Sequence, residues 1–233
     1  MRNKNFFIPR TGDWDTRYDS AIERLLNEIT EDAQATAKWT GYQNFQKEVL
    51  QALKGIPRHR FVATNNQAEA YANRPLPIGF GQTISQPYIV ALMTDALELN
   101  SCDRVLEVGT GCGYQTAILA ELVNNVFTIE VIPELAAIAR KNLNQLGYNE
   151  INFRIGNGRE GWPIHAPFPA ILVTAASENL PLNLVDQLDA GGRMVVPIGP
   201  QGGDQTLLLL KKHETGNVTE KSLLPVSFVP LIK

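Results

Sequence analysis

Two hydrophobic patterns alternate along this chain. Apolar residues spaced three and four apart, such as Ile22, Leu25 and Ile29, predict amphipathic helices, whereas short runs rich in β-branched residues predict strands. The helices are predicted at residues 17–38, 44–54, 87–97, 114–123, 133–146 and 182–188. The strands are predicted at residues 105–108, 126–129, 151–155, 170–174, 193–197, 206–211 and 222–231.

The order of these elements predicts an α/β fold. Strands that alternate with helices form a doubly wound, mostly parallel sheet with helices on both faces and right-handed crossovers. The last strands leave no room for helices between them, so we expect them to pair as an antiparallel hairpin at the C-terminal end of the sheet. The two N-terminal helices, at residues 17–38 and 44–54, are expected to cap either the sheet edge or a cleft.

The run RVLEVGTGCGY at residues 104–114 forms the centre of this pattern. Its glycines, Gly109, Gly111 and Gly113, let the backbone turn tightly and approach a ligand at the start of a helix. A dinucleotide site needs the order G-x-G-x-x-G, and Tyr114 stands where the last glycine would fall. The spacing G-x-G-x-G suits S-adenosylmethionine instead, because its methionine end carries an ammonium and a carboxylate but no pyrophosphate.

Glu130 follows directly at the end of the next predicted strand. In related sites an acid at this position accepts hydrogen bonds from the ribose hydroxyls. A glycine loop alone would also fit a surface turn, but strand, loop, helix and acid in this order predict a cofactor site. Such a site in a doubly wound sheet closed by a hairpin is the Rossmann-like architecture of class I methyltransferases. We therefore divide the chain into an N-terminal helical cap and lead-in (1–75) and a methyltransferase domain (76–233).

Composition excludes several classes of function. The 233 residues carry 21 Lys and Arg against 24 Asp and Glu, a formal net charge of −3, so no basic field recruits nucleic acid or an anionic membrane. No apolar run approaches the roughly 18 residues of a membrane span, and residues 6–8 are too short a run for a signal peptide. Cys102 and Cys112 indicate neither a zinc site nor a disulfide framework, so we expect no metal and a cytoplasmic protein.

The segment RPLPIGFGQTISQPY at residues 74–88 is rich in proline and glycine, and we expect it to be extended without regular structure. Its hydroxyl and amide groups favour a functional loop. Two roles remain open for Ser85, as the N-cap of the helix that begins at Pro87 or as a ligand contact. The nearby cluster Arg58–Arg60 is typical of a phosphate site, but a solvated loop after a helix is the favoured interpretation.

The sequence resembles the protein-L-isoaspartate (D-aspartate) O-methyltransferase family. The matching runs are PLPIGFGQTISQPYIVALMT, RVLEVGTGCGYQTAILAELV, FTIE, GNGREGWPIHAPFPAILVTAA, QLDAGGRMVVPIG and VSFVPLI, from about residue 40 to the C-terminus. The segment GQTISQPY is far more specific to this family than the glycine loop, which class I methyltransferases share.

This resemblance implies methyl transfer from S-adenosylmethionine to the free carboxylate of L-isoaspartyl residues in damaged proteins, which initiates their repair, with D-aspartyl residues left open. The implied partners are isoaspartyl peptides and proteins, without nucleic acid or membrane, and a monomer is favoured. Ser85 is the implied active-site serine. The implied cofactor-binding residues are Gln82, Thr83, Ile84, Ser85, Glu107, Gly109, Thr110, Gly111, Gly113, Glu130, Val131, Asn157 and Gly158.

Two positions depart from the family pattern. Asn157 replaces an aspartate that, in the family, accepts a hydrogen bond from the adenine amino group of the cofactor. The amide oxygen of Asn157 can still accept this bond but carries no charge, so we expect cofactor binding to weaken by about 1 kcal/mol. Pro169 replaces an aspartate at the start of a strand, where proline is tolerated. Because both changes remove a carboxylate, a silent cofactor-binding homologue and a methyltransferase with another acceptor remain alternatives.

The implied chemistry needs no strong base. An isoaspartyl carboxylate, with a pKa of about 4, is already ionised at neutral pH. The protein therefore has to position that carboxylate in a dry pocket, and Ser85 is the candidate donor. We expect the three histidines, His59, His165 and His213, to be ordinary loop residues.

Overall fold

The computed structural model describes residues 16–232, so the apolar run at residues 6–8 lies outside the described part of the chain. The helices are α1 (Asp19–Thr40), α2 (Lys47–Gly55), α3 (Pro87–Ala96), α4 (Tyr114–Leu122), α5 (Pro133–Gln145) and α6 (Leu182–Asp186). The strands are β1 (Leu76–Gly79), β2 (Gln82–Ile84), β3 (Arg104–Val108), β4 (Asn125–Glu130), β5 (Asn152–Ile155), β6 (Phe168–Val173), β7 (Leu188–Ile198), β8 (Gln205–Lys212) and β9 (Val218–Val226). None of the described helices is both long and apolar enough to cross a membrane.

Seven strands form the central sheet in the order β5-β4-β3-β6-β7-β8-β9. The first five strands in this order, from β5 to β7, are parallel to one another, and β8 runs antiparallel to both β7 and β9. The predicted α/β fold and its antiparallel end are confirmed. Pro169 lies at an irregularity of the β6–β7 pairing, between Phe168 and Ala170, where its missing N–H is tolerated as expected.

The last predicted strand is wrong at both ends. It was expected over residues 222–231, whereas β9 begins at Val218 and ends at Val226. The chain then leaves the sheet and crosses its carboxyl edge, where the Ala176 N–H donates to the carbonyl of Val229 (2.8 Å) and the Leu231 N–H donates to that of Ala176 (2.7 Å). This path brings the C-terminal segment over the functional edge of the sheet.

Side chains alternate between the two faces of the inner strands, as the strand period requires. Val105 and Leu172 belong to one buried core, which the helices α1 to α4 cover. Their neighbours Leu106 and Ile171 belong to a second core on the opposite face. That second face is covered only by the short helix α6 and by 3-10 turns. Helices therefore lie on both faces as predicted, but most of them lie on the first face.

Helix α1 covers the sheet edge, one of the two positions expected for the N-terminal helices. Its buried residues Ile22, Leu25 and Ile29 share a core with the sheet, and α1 contacts both α3 and β9. The Lys221 ammonium of β9 donates to the carbonyl of Thr40 at the end of α1 (2.7 Å). The division of the chain at residue 75 stays a prediction.

The segment at residues 74–88 is more regular than its composition indicated. Strands β1 and β2 pair as an antiparallel hairpin, with Leu76 opposite Ile84. The expectation of no regular structure was wrong because the residues at the tip, Gly79, Phe80 and Gly81, all adopt positive φ and allow a tight turn.

Candidate active site

A cavity opens at the carboxyl ends of β3, β4 and β6. The sheet order reverses between β3 and β6, and ligands of α/β proteins bind at such a switch point. The predicted site residues that line this cavity are Gln82, Thr83, Ile84, Ser85, Gly109, Thr110, Gly111, Glu130, Val131 and Gly158. The predicted site residues outside its lining are Glu107, Gly113 and Asn157.

The glycine loop is shaped by close contacts beneath it. Gly109 has φ +99°, and a Cβ there would lie 2.3 Å from the Thr174 hydroxyl. Gly113 has φ +93°, and its Cβ would meet Leu143 of α5 at 3.0 Å. Gly113 therefore serves the packing of α4 against α5 and not the cavity wall.

The Glu130 carboxylate fastens the glycine loop to the end of β4. One oxygen accepts from the N–H of Gly111 (2.7 Å), and the other accepts from the N–H groups of Val131 and Ile132 (both 3.0 Å). The residue is only 5% exposed, yet it lines the cavity. The oxygen that accepts from Gly111 keeps further acceptor capacity, so this acid both closes the loop and offers a negative group to a ligand.

Glu107 lies beneath the loop instead of beside the ligand. It is fully buried, and one carboxylate oxygen accepts from the hydroxyls of Thr116 (2.5 Å) and Thr128 (2.6 Å). Burial raises the pKa of Glu107 to about 8, against the opposing effect of these two hydroxyls. Strand alternation turns this side chain beneath α4, and its contact with the cofactor stays a prediction.

Asn157 forms its hydrogen bonds within its own turn and does not line the cavity. Its Oδ1 accepts from the Arg159 N–H (3.1 Å) and its Nδ2 donates to a Glu160 oxygen (3.2 Å), so the side chain caps the turn Gly158–Glu160. The adenine contact of Asn157 stays a prediction. Gly158 does line the cavity, and a Cβ there would lie 2.4 Å from Val108.

Ser85 lies at the junction of two cavities. The second cavity, of about 470 Å³, shares Thr83, Ser85, Thr174 and Val229 with the first. Its other walls come from Pro75, Gln86, Ile89 and residues 225–228. The N-cap position of α3 is held by Gln86, not Ser85, so the N-cap alternative for Ser85 is wrong. Its hydroxyl remains available to a ligand.

The sequence interpretation missed Thr174 and the C-terminal segment. The Thr174 hydroxyl hydrogen bonds to the carbonyl of Gly109 (2.6 Å) or Val108 (3.0 Å), and Thr174 lines both cavities. Its place at the end of β6, beside the switch point, was a signal that could have found it. The apolar residues 229–232 also line the first cavity, but their pattern is that of an ordinary strand.

The histidines take no part in either cavity lining. His59 is nevertheless not an ordinary loop residue, because it is buried, with Nδ1 2.8 Å from the Tyr71 hydroxyl. Cys112 is buried within the glycine loop, and burial raises the pKa of its thiol to about 11. Across residues 16–232, no group of three or more metal-type ligands occurs.

The expectation of a solvated loop at Arg58–Arg60 is wrong for two of its three residues. Arg60 is exposed, but Arg58 is fully buried and His59 is 8% exposed. The Arg58 guanidinium donates to main-chain carbonyls that are distant in sequence, among them that of Ser85. Sequence spacing gives no signal for such partners.

The fold and the glycine-loop cavity define a class I methyltransferase. Comparison with known proteins then identifies the family. The model of the protein-L-isoaspartate(D-aspartate) O-methyltransferase family, PCMT, matches residues 35–233. This chain therefore belongs to the PCMT family.

Individual relatives agree with this assignment. The chain is 49% identical over 217 residues to protein-L-isoaspartate O-methyltransferase 2 of Syntrophobacter fumaroxidans, covering 93% of this chain and 88% of the relative. A solved protein-L-isoaspartate O-methyltransferase structure matches 90% of this chain and 65% of its own, with a TM-score of 0.77 and 26% identity. A PCMT structure from Plasmodium falciparum, in complex with S-adenosyl-L-homocysteine, shares the fold at a TM-score of 0.75 and 23% identity over 92% of this chain and 98% of its own.

Proposed function

We propose that this protein transfers a methyl group from S-adenosylmethionine to the free carboxylate of L-isoaspartyl residues in damaged proteins, which starts their repair. The observation that carries the proposal is the position of Ser85, where the cofactor cavity meets a second cavity of about 470 Å³. A hydroxyl at that junction reaches both a bound cofactor and an acceptor side chain.

The lining of the first cavity fits S-adenosylmethionine. The Glu130 carboxylate suits the ribose diol, and the apolar side chains of Val131, Ile132 and Leu135 suit an adenine ring. Gly111, whose φ is +56°, lets the backbone of the glycine loop come close to the methionine end of the cofactor. Glu107, Gly113 and Asn157 support this site from outside the lining.

The bound cofactor supplies a methyl group on a positively charged sulfur, and its transfer to a carboxylate cancels both charges. The acceptor is already ionised, so the chain has to orient it and exclude water. The Thr174 hydroxyl has a single proton, which the backbone carbonyls of Val108 and Gly109 engage. Ser85 is therefore the better donor to the acceptor carboxylate, with the exposed Thr83 beside it.

The second cavity suits the damaged peptide. Its walls are mainly apolar, from Pro75, Ile89 and Phe228, and its hydroxyl groups include those of Thr83 and Ser85. Thr83 and Ser85 lie at the border with the cofactor cavity, so they offer donors to an isoaspartyl carboxylate at the end of the second cavity where the methyl group would arrive. We further propose a cytoplasmic monomer that binds neither nucleic acid nor membranes, in keeping with the net charge of −3.

Labelled S-adenosylmethionine tests this function with two peptides that differ only in one isoaspartyl or normal aspartyl linkage. We expect a base-labile methyl ester on the isoaspartyl peptide and background label on the aspartyl peptide. If neither peptide is labelled while S-adenosylhomocysteine binds, the protein is a silent homologue or uses another acceptor. Equal labelling of both peptides would exclude selective repair.

A further inference from the structure

Arg58 is a buried cation that holds the ends of the β1–β2 hairpin. It lies in the 3-10 turn Arg58–Phe61 after α2, and its side chain is 0% exposed. Its Nε donates to the carbonyl of Ala70 (2.9 Å), and its Nη2 donates to that of Ser85 (2.8 Å) with a longer contact to Arg74 (3.5 Å). Ala70 and Arg74 precede the hairpin and Ser85 follows it, so one guanidinium fixes both ends.

The same guanidinium contacts the cofactor side of the site. Its central carbon lies 4.9 Å from the centre of the Tyr114 ring, a cation–π distance. Tyr114 is the first residue of α4, directly after the glycine loop, and it lines the cofactor cavity. Arg58 thus connects the backbone of Ser85 with the element that carries the glycine loop.

Stability alone gives a weak reason for this arrangement. Within residues 16–232, Arg58 forms no ion pair with a carboxylate, and one of its nitrogens, Nη1, has no hydrogen-bond partner. Burying a charge without a carboxylate partner costs free energy, which its hydrogen bonds to main-chain carbonyls must offset. What the planar guanidinium adds is a fixed direction for each hydrogen bond it donates.

We infer that Arg58 is a positioning residue for methyl transfer, because it sets the position of Ser85 relative to the glycine loop through the Ser85 carbonyl. This inference rests on the proposed function. Glu130 and the glycine loop hold the cofactor by contacts that do not include Arg58. Loss of Arg58 should therefore lower the rate of transfer far more than it weakens cofactor binding.

The test compares Arg58→Met and Arg58→Lys with Arg60→Met, which changes an exposed arginine of the same turn. For the full-length protein, kcat and KM are measured with the isoaspartyl peptide, and Kd is measured with S-adenosylhomocysteine. We expect Arg58→Met to lower kcat by about 30-fold with Kd within about threefold of wild type. Arg58→Lys should recover part of the loss, since an ammonium still donates to one carbonyl, and Arg60→Met should stay within about twofold.

Several outcomes would overturn the inference. A folded Arg58→Met protein with wild-type kcat excludes a positioning role. If the variants lose kcat, cofactor affinity and melting temperature together, the role of Arg58 is purely structural. If Arg58→Met does not fold, Arg58→Lys decides, because a wild-type kcat in that variant removes the need for the planar group.

Hydrogen exchange separates this inference from the proposed function. Backbone amides of residues 76–85 should exchange faster in Arg58→Lys than in Arg60→Met, and equal exchange would contradict the inference whether or not the protein is active. Failure of the wild type to label the isoaspartyl peptide would instead count against the proposed function.

Discussion

Replacing Glu130 with glutamine tests how the cofactor cavity is built. The carboxylate accepts three backbone hydrogen bonds, from Gly111 (2.7 Å) and from Val131 and Ile132 (3.0 Å each). Glutamine keeps one accepting oxygen, which retains the pair of bonds from Val131 and Ile132, and turns its NH₂ group toward the Gly111 N–H, so the Gly111 bond is lost. Since bonds to charged groups contribute about 1.5–3 kcal/mol each, we expect Glu130→Gln to lower the unfolding free energy by about 2–3 kcal/mol.

Two assays measure the effects of Glu130→Gln. For a urea m value of about 2–3 kcal/mol per M, the unfolding midpoint should fall by about 1 M. The Kd for S-adenosylhomocysteine should rise by about 10- to 100-fold, because the ribose acceptor is weakened and the glycine loop is released.

The matched control for this prediction is Glu134→Gln, an exposed acid in the first turn of α5. It should change the unfolding free energy by less than about 0.5 kcal/mol and leave Kd unchanged. If Glu130→Gln binds S-adenosylhomocysteine as tightly as wild type, Glu130 neither shapes the cavity nor contacts the ribose.

Three further substitutions address groups near the site and in the core. Burial raises the pKa of Asp95 to about 6, so the folded protein retains a proton that the unfolded chain releases near pH 4. The contribution of Asp95 to the unfolding free energy should therefore fall by about 2–3 kcal/mol between pH 4 and pH 7. Urea unfolding of Asp95→Asn should show a flatter pH profile. Burial raises the pKa of Glu107 to about 8, so Glu107→Gln should be more stable than wild type at pH 8. The Kd of Glu107→Gln for S-adenosylhomocysteine should stay within about threefold of wild type, and a tenfold weakening would indicate that Glu107 contacts the cofactor. Because the Asn157 side chain caps a turn, Asn157→Asp should change that Kd by less than about threefold, whereas a tenfold tightening would reveal the adenine contact that the family pattern implies.

The sequence was sufficient for the parts of the site that are local in the chain. The glycine loop, Glu130 and residues 82–85 each lie directly beside an element whose type the hydrophobic pattern predicts. Once the strands are parallel, their carboxyl ends must meet at one edge, and the cavity follows from that geometry.

The missed features depend on contacts between distant residues. Arg58 is buried where it donates to the carbonyls of Ala70 and Ser85, which lie far from it in the sequence. A basic tripeptide after a helix does not indicate such partners. Glu107 belongs to the glycine-loop motif, but its direction is set by alternation along β3 and by hydroxyls on α4 and β4. The C-terminal segment reaches the cavity only because the chain leaves β9 at Val226.

The most direct test of the central claim, that Ser85 orients the acceptor carboxylate where the two cavities meet, is the kinetics of Ser85→Ala on the isoaspartyl peptide. The exposed Ser101→Ala serves as the control. We expect Ser85→Ala to lower kcat by about 30- to 100-fold, while the Kd for S-adenosylhomocysteine stays within about threefold of wild type. A wild-type kcat in Ser85→Ala would contradict the claim.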